Sequence, residues 1–324
     1  MKRLSGFYLL SLVALILPQI FPDNYYLTVV GVFAALHIIL AVGLNLLMGY
    51  CGQISLGHAA FFGLGAYSSA ILTTRYQLDP WLAMISGMVL VFIIANLIAR
   101  PILKLKGHYL AMATLGFGII VHIIFVQTEA LSGGPDGLGD IPTLSIAGWA
   151  VDSDIRWYYV TTISALGSIL LSLNLIASRS GRAIRAVHGS EFAAQMMGIN
   201  SNKTKVMVFV FAAVLASFAG SLFAYQQNFV SPDSFSFFFS IELVTMVVLG
   251  GMASTYGAVF GAILLTFLPE LLIVFEDYEM LVYGAILMLV MIFMPQGLFI
   301  SLGHQLTQLK KNYWPNKKPA GDQQ

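Results

Sequence analysis

Few side chains in this sequence are suited to chemistry, and those few sit in apolar surroundings. His37, Asn45, Gln53, Ser55, His58, His122 and Glu242 all fall within or beside long hydrophobic stretches. An ionisable residue at membrane depth is a functional candidate by default, because burying its charge in hydrocarbon is costly. Glu242, however, lies near one end of its stretch, and His37 and His122 read as packed, hydrogen-bonded neutral imidazoles. No series of carboxylates can be traced that would relay protons or sodium, which counts against an ion-driven carrier. No metalloprotease helix, serine-nucleophile motif, dinucleotide fingerprint or phosphate-binding loop occurs anywhere in the chain. Hydrolysis or nucleotide chemistry on this chain is therefore disfavoured. Cys51 is the only cysteine, so no intrachain disulfide can form, and it reads as a small buried apolar side chain.

The elements that must position these groups are membrane helices. Only 10% of the 324 residues are charged and 58% are hydrophobic, against roughly a quarter charged in soluble domains. Such a chain cannot keep its surface wet, and a surface facing lipid is the alternative. Ten apolar segments are predicted near 7–22, 25–48, 54–73, 81–99, 108–127, 157–177, 206–225, 239–253, 257–275 and 280–300. About 20 helical residues match a hydrocarbon core of about 30 Å. The segments at 7–22 and 239–253 are short, so the expectation is an all-α polytopic membrane protein with 8–10 transmembrane helices. The N-terminal run resembles a signal peptide but lacks a small-x-small cleavage site, and is read as a retained first span.

Charge asymmetry gives orientation. With the N-terminus inside, only Arg75 and Arg156 fall outside, and the other fourteen of the sixteen basic residues lie inside, as the positive-inside rule demands. This divides the chain into a cytoplasmic N-terminus (1–6), one transmembrane domain (7–300) and a polar cytoplasmic tail (301–324). Within the domain, 129–156 forms an outer loop and 178–205 an inner one.

The inner loop carries the strongest pattern. Ser180 and Ser190 are predicted to cap two short helices that end at Gly189 and Gly198. Ala183, Ile184 and Val187 give the first an apolar stripe, and Arg182 and Arg185 share a face suited to an acidic partner. Helices this short need a surface to dock on. A solvated basic loop is the plainer alternative. A second pattern runs over 43–67, where six glycines accompany Asn45, Gln53, Ser55 and His58. It fits a broken or re-entrant helix beside a translocation path, and equally a tight helix–helix contact. A second small-residue cluster at 250–262 is placed similarly in the other half, which suggests an internal repeat.

The stretches GLNLLMGYCGQISLGHAAFFGLGAY, GHYLAMATLGFG, SGGPDGLGDIP, SGRAIRAVHGSEFAAQMMGIN and VVLGGMASTYGAVFGA resemble, in order, the M-type membrane subunit of bacterial branched-chain amino acid ABC importers. The resemblance departs at Ile119, where relatives often carry an acidic residue, and at His188-Gly189-Ser190, where the inner loop is usually more charged.

That resemblance implies an inner-membrane permease with both termini cytoplasmic, which moves leucine, isoleucine and valine inward by alternating access. It implies no cofactor and no enzymatic activity in this chain, with ATP bound by partner subunits. The partners implied are a second, non-identical permease, two cytoplasmic ATPases and a periplasmic or lipid-anchored solute-binding protein. Gly181, Arg182, Ala183, Arg185, Ala186, Glu191, Ala194 and Gly198 would couple to an ATPase. Asn45, Gly49, Gly52, Gln53, Ser55, Gly57 and His58 would line or gate the path. Gly133, Gly134 and Asp136 would dock the binding protein. A related permease for urea, amides or other small polar solutes is the first alternative, and an ion-coupled carrier the second.

Overall fold

The computed structural model describes residues 5–20, 25–146, 149–273, 278–293 and 297–298. Residues 1–4 of the expected N-terminus and the whole expected tail, 301–324, lie outside the described residues. Each of the ten apolar segments coincides with a helix. They are α1 (Ser5–Ile20), α2 (Gly31–Asn45), α3 (His58–Thr74), α4 (Pro80–Ile102), α5 (His108–Gln127), α7 (Asp154–Ala177), α10 (Ser201–Gln227), α11 (Phe237–Gly250), α12 (Thr255–Leu272) and α13 (Glu279–Phe293). Three short helices complete the set: α6 (Glu129–Ser132), α8 (Arg179–Gly189) and α9 (Glu191–Met196). Among the described residues, six continuous helical stretches are long and apolar enough to cross a membrane. One of them joins α2 to its π-helical ends as Thr28–Tyr50. The outer loop adds a minimal antiparallel pair, Ser145–Ile146 with Trp149–Ala150.

Local chemistry sets several boundaries. Asp79 caps α4 by accepting from Trp81 N at 2.9 Å, with Pro80 occupying the first helical position. Asn200 caps α10 through the Lys203 amide, and Asn228 ends it in the left-handed conformation at φ 54°.

The packing follows a lipid solvent. On α4 the small residues Ala83, Gly87, Ala95 and Ala99 face inward with Val91, while Leu82, Ile85, Val89, Phe92 and Leu97 face out. Large side chains lose nothing by meeting hydrocarbon, whereas small ones let helices approach closely. α2 is apolar all round, and twelve of its residues are buried, as befits a central helix. A close seam joins α3 and α10, where a Cβ at Gly65 would overlap the Ser217 backbone and one at Gly220 would overlap Phe62 O. Ser69 Oγ donates to Ser221 Oγ across it at 2.8 Å.

Candidate functional site

The two small-residue clusters are brought together rather than apart. α2 continues into a π-helical turn, Leu46–Tyr50, and the chain returns to α3 through the irregular segment 51–57. Buried Asn45 clasps the turn between α11 and α12: its Nδ2 donates to Ser254 O at 3.0 Å and its Oδ1 accepts from Ala253 N at 3.1 Å. Gly49 must lack a side chain, since a Cβ there would overlap both Asn45 Oδ1 and the Ala253 amide. Tyr50 adds a second tie, its hydroxyl 3.2 Å from Thr255 Oγ1 and accepting from Thr255 N.

The amides of Cys51, Gly52 and Gln53 bond back to Leu46 O, Met48 O and Leu47 O of the preceding turn, and neighbouring helices meet two amides further on. Thr114 Oγ1 on α5 accepts from Leu56 N, and Ser240 Oγ on α11 accepts from Ala59 N. Gly57 lies so close to α5 that a Cβ would overlap Thr114 O. Gln53 Nε2 donates to Cys51 O at 3.2 Å. Ser55 Oγ and His58 Nε2 are buried with no hydrogen-bond partner among the described residues. Cys51 is fully buried, and that burial pushes its thiol up to about 11. Of the remaining candidates, His37 bonds Thr266 at 2.8 Å as expected. His122 departs from the expectation, because its Nδ1 is buried without a hydrogen-bond partner among the described residues.

The inner loop folds as two helices at a corner. The cap of α8 is Ser178, not Ser180: Ser178 is extended and its Oγ accepts from Gly181 N at 3.3 Å, while Ser180 already lies inside the helix. Gly181 fits this corner because a Cβ would overlap the carbonyls of Leu175 and Ile176. Gly181, Ile184 and Val187 form the buried face, while Arg182 and Arg185 are exposed, without an ion pair among the described residues. Ala183 and Ala186 are half-buried.

Ser190 caps α9 through Ala193 N, Ala194 is buried, and Gly198 takes φ 80° just beyond the helix. Glu191 Oε2 receives Lys205 Nζ at 2.8 Å, with the lysine side chain only 4% exposed and the glutamate 30%. Sequence spacing gave no sign of this pair, fourteen residues apart. Nor did it single out Phe192, Met196 and Met197, which stand 69%, 69% and 82% exposed on α9. Gly52, at φ 70°, faces the His188 ring and so joins α8 to the 51–57 segment.

In the outer loop, Gly133 (φ 77°) and Gly134 (φ 63°) make a tight turn, and Asp136 is exposed in the following 3-10 turn. Ser132 Oγ ties this turn to Phe125 O at 2.5 Å, and Leu138 pairs with Val230. Among the described residues, no group of three or more His, Cys, Asp or Glu could hold a metal ion.

Spans of membrane length, glycine-lined seams, an irregular break between two helices and a projecting pair of amphipathic helices define a membrane permease. The model of the family described as branched-chain amino acid transport system / permease component matches residues 26–291, and the chain belongs to that family. It is similar to the high-affinity branched-chain amino acid transport system permease protein LivM of Escherichia coli K12. The two are 35% identical over 292 positions, covering 83% of this chain and 69% of that protein. It is also similar to LivH of Salmonella typhimurium (26% identical, 81% of this chain and 90% of that one). The ribose import permease RbsC of Escherichia coli K12 is 26% identical, covering 87% of this chain and 88% of its own. No solved structure matches.

Proposed function

We propose that this chain is one membrane subunit of an ATP-driven importer for leucine, isoleucine and valine. It works beside a second, non-identical permease, two cytoplasmic ATPases and a solute-binding protein that is periplasmic or lipid-anchored. The chain lies in the bacterial inner membrane as a single transmembrane domain (7–300), with both termini cytoplasmic. It makes or breaks no covalent bond and binds no cofactor, since ATP is held by the partners. Alternating access follows from two packed arrangements that the ATPases drive.

The observation that carries this reading is the α8–α9 pair. An ion pair with a buried lysine fixes its root, while two exposed arginines and three exposed apolar side chains, Phe192, Met196 and Met197, stand ready for a partner. In this reading Gly181, Arg182, Ala183, Arg185, Ala186, Glu191, Ala194 and Gly198 build the coupling element. Its contact at His188–Gly52 passes motion to the segment holding Asn45, Gly49, Gln53, Ser55, Gly57 and His58, which borders or gates the path. Gly133, Gly134 and Asp136 on the opposite side receive the binding protein. Support for the substrate class comes from the names of the LivM and LivH relatives; LivM, at 35% identity, is nearer than RbsC at 26%, which equals LivH in identity.

The test is reconstitution in liposomes. With its ATPases, second permease and binding protein, the assembly is expected to accumulate labelled leucine only with ATP inside the compartment bearing α8–α9. Gradient-driven uptake by the purified chain alone would overturn the reading in favour of an ion-coupled carrier.

A further inference from the structure

Between α2, α3, α10 and α11 lies a cavity of about 210 Å³ lined by Phe33, His37, Phe62, Phe223, Ser234 and Phe239. Four phenyl rings form its wall. Phe62 sits 5.3 Å from Phe223 and 5.4 Å from Phe239, ring centre to ring centre, and Phe33 lies 6.5 Å from Phe223. The volume is below the ~300 Å³ at which pockets for drug-sized ligands begin, and suits a free amino acid.

The polar groups of this cavity are specific in their valence. Thr266 Oγ1 donates its one proton to Ala262 O at 2.7 Å, so it can only accept from His37 Nδ1, 2.8 Å away. In the neutral imidazole the proton is therefore on Nδ1, and Nε2 offers a lone pair. That atom has no hydrogen-bond partner among the described residues. Phenyl faces attract ammonium groups and also accept aliphatic side chains.

Two of its lining residues, Ser234 and Phe239, flank the start of α11, a helix that begins inside the fold. The 3-10 turn Pro232–Phe235 carries Phe235 down onto Gly63 and Tyr67 of α3. Gly63 is eleven residues from the end of α3, about 16 Å at 1.5 Å per residue. α11 starts two residues later, and Ser236 gives its first turn no side-chain cap. The unpaired amides of a helix start favour a negative group.

We propose that this cavity is a binding station for the transported solute, an L-amino acid with a branched aliphatic side chain. The side chain lies among Phe33, Phe62, Phe223 and Phe239, and the ammonium donates to His37 Nε2. The carboxylate lies toward the start of α11. This assignment rests on the importer reading above.

The test is uptake of labelled leucine and valine by the full importer in proteoliposomes, with saturating binding protein and the ATP hydrolysis rate recorded in parallel. Phe223→Trp fills the cavity, and Phe33→Trp does so from a half-buried position should the first variant fail to assemble. A hydrophobic pocket discriminates one methylene by roughly 10- to 200-fold, so the leucine-to-valine ratio is expected to fall by roughly tenfold while ATP hydrolysis persists. His37→Leu is expected to lose uptake of both by a similar factor, and His37→Gln, which keeps an acceptor, to retain most of it. Wild-type uptake together with an unchanged ratio in the filling variants, or equal loss of both amino acids there, overturns the cavity alone. A wild-type importer that moves neither amino acid overturns the cavity and the importer reading together.

Discussion

Neutralising Glu191 should destabilise the protein more than removing its partner Lys205, although the two form a single ion pair. Lys205 Nζ lies 2.8 Å from Glu191 Oε2, but the lysine side chain is 4% exposed and the glutamate 30%. Glu191→Gln leaves an ammonium that water cannot reach. Lys205→Met leaves a carboxylate that water can reach, and keeps most of the lysine's aliphatic packing. Removing one member of a buried pair costs about 3–5 kcal/mol. The amide oxygen of glutamine still accepts a bond, which places Glu191→Gln at about 3 kcal/mol. Solvent screening of the abandoned carboxylate places Lys205→Met near ~1 kcal/mol. The chain supplies its own reporter: Cys51 is the only thiol and fully buried, so a fluorogenic maleimide reads the unfolding midpoint in mild detergent. Glu191→Gln should lower that midpoint roughly three times as far as Lys205→Met. The double variant should recover part of the loss, because the stranded charge is gone. Equal losses, or a larger loss for Lys205→Met, would refute the claim that desolvation of the ammonium decides the energetics here.

Asn45→Leu should cost about 0.5–1.5 kcal/mol for each of the two hydrogen bonds it removes, to Ser254 O and from Ala253 N, read by the same midpoint. Gly57→Val, whose Cβ would overlap Thr114 O, should separate α3 from α5 and abolish uptake; wild-type uptake would show that the close approach is dispensable. Arg182→Glu with Arg185→Glu should leave stability within about 0.5 kcal/mol, since both side chains are exposed, yet release the ATPases in a pull-down.

The helices were legible because lipid imposes a one-dimensional signal: length and apolar content alone locate all ten, from α1 to α13. The α8–α9 pair was also legible, down to Ser190 and the Ile184–Val187 stripe. Its first cap was misplaced by two residues, since Ser178 and Ser180 differ only in backbone conformation, which sequence does not display. What remained hidden is contact between distant positions. Asn45 with Ser254, His37 with Thr266 and Glu191 with Lys205 obey no local period. The glycines at 43–67 were open to two interpretations. Gly49 and Gly57 are sites of tight contact with Asn45 and Thr114, and the irregular backbone lies between them. The polar outer connection gave no sign that Phe235 would reach halfway down α3, because an aromatic in a turn reads as surface until its neighbours are known.

α2 and α12 are fastened at two heights, by His37 to Thr266 and by Asn45 and Tyr50 to the residues just before and at the start of α12. The two side chains on α2 are eight residues apart, about 12 Å along its axis. Two bolts so spaced forbid pivoting, so the pair swings as one plank. Any bending in a transport stroke is thereby handed to the non-helical stretch after Tyr50, the nearest point at which the plank can be flexed without drawing either bolt.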